Sequence, residues 1–209
     1  MHTNMPEVNP NARLETFCDG VFAIALTLLV IDIKIPSSAV INNTSEFWVA
    51  LKHIVPSILA FVSSFAIILV TWVNHHNAMK LAARSSTAFI YANGLLLLSV
   101  VFIPFPTSLI GDYILTDHAA PAVILYNLVL ILQALGWAQI CTAGLKGNLA
   151  KSEAAIKEIR KNRSYAYYSV LGYSMLALVA IWIPLTVVII TLLLWVLWLV
   201  IGINLKPEE

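Results

Sequence analysis

Charge is scarce in this chain: of its 209 residues only 11% are Asp, Glu, Lys or Arg, whereas a soluble domain carries about 25%. The net charge of +1 leaves no basic footprint for a polyanion, which excludes nucleic acid as a partner. Cysteine is nearly missing. Cys18 and Cys141 are the two present, both inside apolar runs, and two such residues make neither a disulfide framework nor a metal cluster. Catalytic patterns are missing as well: no G-x-S-x-G, no HExxH and no phosphate-cradling glycine loop. The expectation is therefore no enzyme, no cofactor and no metal. The glycine-rich, broken half-helices of many transporters are limited to Gly94, Gly136, Gly172 and the Pro104/Pro106 pair.

What is abundant is hydrocarbon. Sixty per cent of the residues are hydrophobic and mean hydropathy is +0.86, so the surplus apolar surface has to face a lipid bilayer. At about 20 apolar residues per crossing, the chain holds at most about six or seven helices and hardly any domain outside the membrane. Six runs stand out, over about 13–35, 47–74, 86–113, 120–143, 164–183 and 184–204. None alternates with period two, which favours helices over a barrel. The fold expected is all-α, a polytopic membrane protein with six transmembrane helices in one domain spanning 1–209. Residues 1–11 read as a short polar tail. The first run lacks the flanks of a signal peptide and reads as a retained helix.

The twelve Lys and Arg set an orientation. With the N-terminus inside, Arg13, Lys80, Arg84, the six between Lys146 and Arg163, and Lys206 are cytoplasmic, and only Lys34 and Lys52 are outside. The positive-inside rule then puts both termini in the cytoplasm. The charged stretch 144–163 is expected to form a small soluble helix, with Glu153 and Lys157 as an i,i+4 pair and a basic face against anionic headgroups.

The most informative segment runs from Arg13 to Asp32. Asp19 lies about 9 Å up a helix from Arg13, at the hydrocarbon boundary, where an unpaired charge is costly. The second run ends in Trp72-Val-Asn74-His75-His76-Asn77, and antiparallel topology returns that end to the same depth. A polar cluster of Arg13, Asp19, His75 and His76, with Asn74 and Asn77 near it, is thus expected. It can act as a clamp between helices, as a proton relay or as a metal site. The metal reading is the weakest, because adjacent histidines point about 100° apart on a helix and no Cys or second acid stands at ligand spacing. Ile24, Thr27, Leu28 and Ile31 form an i, i+3, i+4, i+7 stripe, which by itself reads as packing. The six tryptophans read as interface anchors and packing.

Arg13, Phe17, Cys18 and Asp19, followed by Gly-Val-Phe-Ala-Ile-Ala-Leu-Thr-Leu-Leu-Val, resemble the R-x-x-x-F-S-D signature of the transmembrane protein 175 family of endosomal and lysosomal potassium channels. The Trp72/His75/His76 group and Phe102-Ile-Pro104-Phe-Pro-Thr107 are similar to further family features. The resemblance covers the first three helices, about half the chain. Cys18 departs from it by replacing the serine, and a thiol is the weaker hydrogen-bond donor. The resemblance implies a potassium-selective channel, a single-repeat homotetramer of the bacterial kind in a prokaryotic plasma membrane, with the first helix lining a central pore. It implies hydrophobic constrictions at Ile24, Leu28 and Ile31, a threonine layer at Thr27, and a structural polar cluster of Arg13, Phe17, Asp19, Trp72, His75 and His76. Asp32 stands near the outer mouth, where it can concentrate cations or pair with Lys34. A secondary transporter, proton-coupled through Asp19 and the histidines, is the competing reading; a structural membrane subunit is the third.

Overall fold

A computed structural model of the chain describes residues 10–34, 37 and 41–204, with side chains as far as residue 200. Most of the polar tail, Pro36 and Lys206 lie outside the described residues. Eight α-helices are present among those described: α1 (Ala12–Leu28), α2 (Thr44–His53), α3 (Val55–Met79), α4 (Thr87–Phe102), α5 (Pro104–Tyr113), α6 (Ala119–Lys146), α7 (Glu153–Val179) and α8 (Pro184–Asn204). A 3-10 turn over Leu29–Asp32 prolongs α1. The molecule is an all-helical membrane protein. By length and composition, four stretches are long and apolar enough to cross a bilayer: Ala12–Asp32, Val55–Met79, Thr87–Tyr113 and Ala119–Lys146.

Helix boundaries differ from the hydrophobic runs wherever a cap or a proline outweighs hydropathy. The run over 47–74 is two helices. Asn43 caps α2 by accepting the Glu46 backbone N–H at 2.9 Å, and the Glu46 carboxylate reaches back to the N–H of Asn42, one residue before the cap, at 2.8 Å, a variant of the reciprocal capping box. That backbone hydrogen bond is the main reason the Glu46 carboxyl is held below its usual range. A break at Ile54, followed by Pro56 in the first turn of α3, then starts the long second rod, where proline costs no hydrogen bond. Thr87–Tyr113 is one rod with a joint at Pro104, which cannot donate to the preceding turn; α4 ends there and α5 begins.

The stretch 144–163 is corrected most. It is not a separate soluble helix. Asn148 adopts φ 48°, a left-handed conformation that asparagine tolerates, and the Leu149 N–H donates to the Gly144 carbonyl at 3.0 Å, so α6 closes in a Schellman turn. Ser152 then accepts the Ala155 N–H at 3.2 Å and starts α7, whose charged first three turns continue into its apolar part without a break.

Helix α6 is the hub of the bundle, running along α7 on one side and α4 on the other. Gly136 permits the second contact: a Cβ there would stand 2.8 Å from Leu96 Cα, so α4 and α6 approach backbone to backbone, as small residues allow in membrane helices. Gly94 and Gly172 face open space. The main core joins Cys18, Phe22 and Ala25 of α1, and Leu29 of the turn that prolongs it, to Ile67, Ile68, Leu97, Val100 and Leu130. At one end of the bundle the Asn11 side chain donates to the Ala82 carbonyl at 3.0 Å, and the Ala83 N–H donates to Leu149 at 2.7 Å. Those bonds gather the start of α1, the α3–α4 turn and the α6–α7 turn, and with them Arg13, Lys80, Arg84, Lys146 and Lys151.

Candidate functional site

Helix α1 has two faces. Cys18, Phe22, Ala25 and Leu29 are spaced 4, 3 and 4 and are at most 1% exposed. Roughly opposite them, Ile24, Thr27, Leu28 and Ile31 are all exposed in the single chain, Ile31 by 72%. In the most apolar 18-residue window of the first span only 22% is buried, against 56% for α6. An apolar stripe left bare on the least buried of the four long stretches is a surface that something outside the chain must meet. Thr27 is its one hydroxyl, and it donates to the Ile24 carbonyl at 2.8 Å. With its proton committed to the backbone, Oγ1 presents its lone pairs, not its hydrogen, to whatever lies in front.

The expected polar cluster forms in part. Trp72 donates its indole N–H to Asp19 Oδ1 at 2.8 Å, tying α1 to α3. His75 is 2% exposed, with Nε2 2.8 Å from Asn93 Oδ1 and its ring against Phe22 and Trp137 at 5.5 and 6.3 Å. His76 is exposed and stacks on Trp72 at 6.1 Å. The two histidines therefore part, one inward and one outward, as their 100° separation requires. Among the described residues, no three His, Cys, Asp or Glu side chains gather as a metal site would need.

The Arg13–Asp19 pair does not form within the chain. Both residues are exposed, and the ion pairs among the described residues are Lys34–Asp112 and Lys161–Glu158. Six residues at 100° each put Arg13 and Asp19 about 120° apart around the helix as well as about 9 Å apart along it. Phe17, four residues on from Arg13, is exposed on the arginine's side of the helix. Lys34 pairs with Asp112 at the end of α5, not with Asp32, and that hydrogen-bonded pair raises the Lys34 ammonium above its ordinary range.

Asn93 and Trp137 were not singled out in the sequence, although both complete the surroundings of His75. Ser64, Thr71 and His75 lie 7 and 4 residues apart, one face of α3. Ser64 meets Thr107 at 2.7 Å and Tyr126 at 2.9 Å, while Gln133 donates to Thr71 at 2.9 Å. Polar residues recurring at helical spacing inside an apolar run are the signal that could have found them.

A bundle of apolar helices, cross-linked by buried polar pairs and exposing apolar side chains on α1 as on α3, α7 and α8, defines a polytopic membrane protein whose candidate site is the α1 surface, not a catalytic pocket. Residues 13–104 match the family described as endosomal/lysosomal potassium channel TMEM175. A potassium channel of Chamaesiphon minutus is 49% identical over 121 residues, 58% of this chain and 59% of that one. A potassium channel of Streptomyces collinus is 40% identical over 131 residues, 62% of each. The aligned parts thus span about three-fifths of these relatives' own lengths. The crystal structure of a lysosomal potassium-selective channel TMEM175 homologue from Chamaesiphon minutus superposes with a TM-score of 0.81 at 32% identity, over 92% of this chain and 97% of that one. The chain belongs to the TMEM175 family, a family of ion channels and not of enzymes.

Proposed function

We propose that the chain is a potassium-selective channel that conducts passively as a homotetramer, with α1 nearest the symmetry axis. The observation that carries this reading is the bare face of α1. Four copies around an axis would turn Ile24, Leu28 and Ile31 into stacked apolar rings, and Thr27 into a ring of four hydroxyl oxygens. Apolar rings narrow enough to exclude water form a gate. Oxygens whose protons are already donated to Ile24 would face a cation with their lone pairs and stand in for part of its hydration shell. Arg13, Phe17 and the Trp72-bound Asp19 would frame the inner end, with His75 and His76 behind them; Asp32 would sit near the outer mouth.

The basic residues gathered at one end of the bundle support an orientation with both termini in the cytoplasm, and bacterial relatives support a prokaryotic plasma membrane. The six spans and the single channel domain belong to the same proposal. Liposomes holding only this chain test it, with native mass spectrometry for copy number. Currents that reverse at the potassium equilibrium potential from a four-chain particle are expected. Flux that saturates at millimolar substrate and follows an imposed proton gradient would instead make the protein a transporter.

A further inference from the structure

A cleft of about 470 Å³ opens between α3, α5, α6 and α8 at the end of the bundle that carries α2. It lies away from the bare face of α1 and does not depend on the channel reading. Lys52 and His53 of α2 stand at its edge; the walls are mostly hydrocarbon, and the wall residues Leu59, Leu185 and Ile189 are each at least half exposed, so the opening faces sideways. Its floor is different. Ser64, Asn127 and Thr191 line it and are 1%, 1% and 3% exposed. By helix rise, Asn127 sits about 12 Å along α6 from Ala119.

The floor's hydrogen bonds close except at one atom. Thr191 donates to the Val187 carbonyl at 2.9 Å, and the Ser64 and Tyr126 hydroxyls hydrogen-bond to each other at 2.9 Å. Asn127 donates its amide to the Val123 carbonyl at 2.9 Å. That last bond fixes the amide's orientation, since the reverse would set two oxygens against each other. Asn127 Oδ1 is then a buried acceptor with no partner, a state that costs free energy inside hydrocarbon. Apolar walls converging on one placed acceptor are the usual make-up of a small-molecule site.

We infer that this cleft binds a neutral, membrane-dissolved alcohol, whose hydroxyl donates to Asn127 Oδ1 while its hydrocarbon part lies against Leu59, Leu185 and Ile189. The basic side chains of the cleft, Lys52 and His53, stand at its edge and no charged one lies on the floor, so an ionised headgroup that reached Asn127 would be stranded there.

The test uses the full chain in phosphatidylcholine nanodiscs and a 1-decanol probe with a diazirine near the end of its chain. Photolabelling mapped by mass spectrometry should fall on the α3 and α8 walls. Unlabelled 1-decanol should compete about fivefold better than undecane, the fold-change of one net hydrogen bond. In Asn127→Leu that preference should vanish while labelling persists. Leu59→Trp, at an exposed wall position, should abolish labelling with Asn127 intact, which keeps the test decisive if Asn127→Leu fails to fold. Equal competition by alcohol and alkane in the unaltered chain would overturn the inference. Labelling unchanged by Leu59→Trp, or absent from the cleft because water or a neighbouring chain fills it, would do the same.

Discussion

Single side chains at the ends of α1 carry specific bonds. Asp19 keeps its carboxylate at the membrane edge by accepting the Trp72 indole N–H, and a hydrogen bond to a charged acceptor contributes about 1.5–3 kcal/mol before screening. Because Asp19 is exposed, Trp72→Phe should cost less than that, about 1 kcal/mol, seen as a lower unfolding midpoint in detergent. Arg13→Ala should leave the folding of the single chain almost unaltered, because Arg13 makes no ion pair with Asp19. A collapse of folded yield in Arg13→Ala would show that the arginine is held by a neighbouring copy. At the other end, Lys34 should titrate above its ordinary 10.5. A raised pKa means the contact with Asp112 is complete at neutral pH and is lost only as pH climbs through the folded value. In Asp112→Asn the Lys34 titration, followed by NMR of labelled lysine, should return to the ordinary range.

At the scale of helices, the fold depends on how closely the rods approach. A methyl added at Gly136 would meet the Leu96 backbone at 2.8 Å, and backbone cannot rotate away as a side chain can. Gly136→Ala should therefore destabilise the chain by about 1–3 kcal/mol, whereas Gly94→Ala and Gly172→Ala, open around their Cβ positions, should be neutral; thermal midpoints of the three purified variants separate the cases. Nothing in the sequence ranked these glycines, since a close approach is a property of two helices and periodicity reads one at a time. The all-helical membrane class was legible because hydropathy is summed over about 20 residues and survives local exceptions. Helix ends were less so: the Asn148 turn and the Ser152 cap lie within one charged stretch, where composition suggests a loop. Trp72 and Asp19 could be placed at one depth from topology, but Asn93 opposite His75 could not, because the register between α3 and α4 is set by packing.

The whole molecule leaves its first helix half dressed, and that decides what the assembly must do. Cys18, Phe22, Ala25 and Leu29 anchor α1 to its own chain, so the opposite stripe is turned outward by construction. If four chains present it to a shared axis, residues 24, 27, 28 and 31 of different copies become near neighbours, while α7 stays at the lipid. The native cysteines are both buried, which makes engineered pairs readable. Ile24→Cys should crosslink between chains under mild oxidant, and Leu171→Cys on the exposed side of α7 should not; the reverse pattern, or a conducting monomer, would remove α1 from the axis. In the assembled pore the two kinds of ring should respond differently. Shrinking an apolar ring lowers the barrier to wetting, so Ile24→Ala or Leu28→Ala should raise current in reconstituted bilayers. Thr27→Val keeps the branched shape and deletes the only oxygen on the stripe. Ions would still pass but would meet no polar layer, and the potassium-to-sodium permeability ratio from bi-ionic reversal potentials should fall toward one. A ratio that stays at its original value would assign selectivity to another part of the pore and leave Thr27 as a packing residue on a hydrophobic wall.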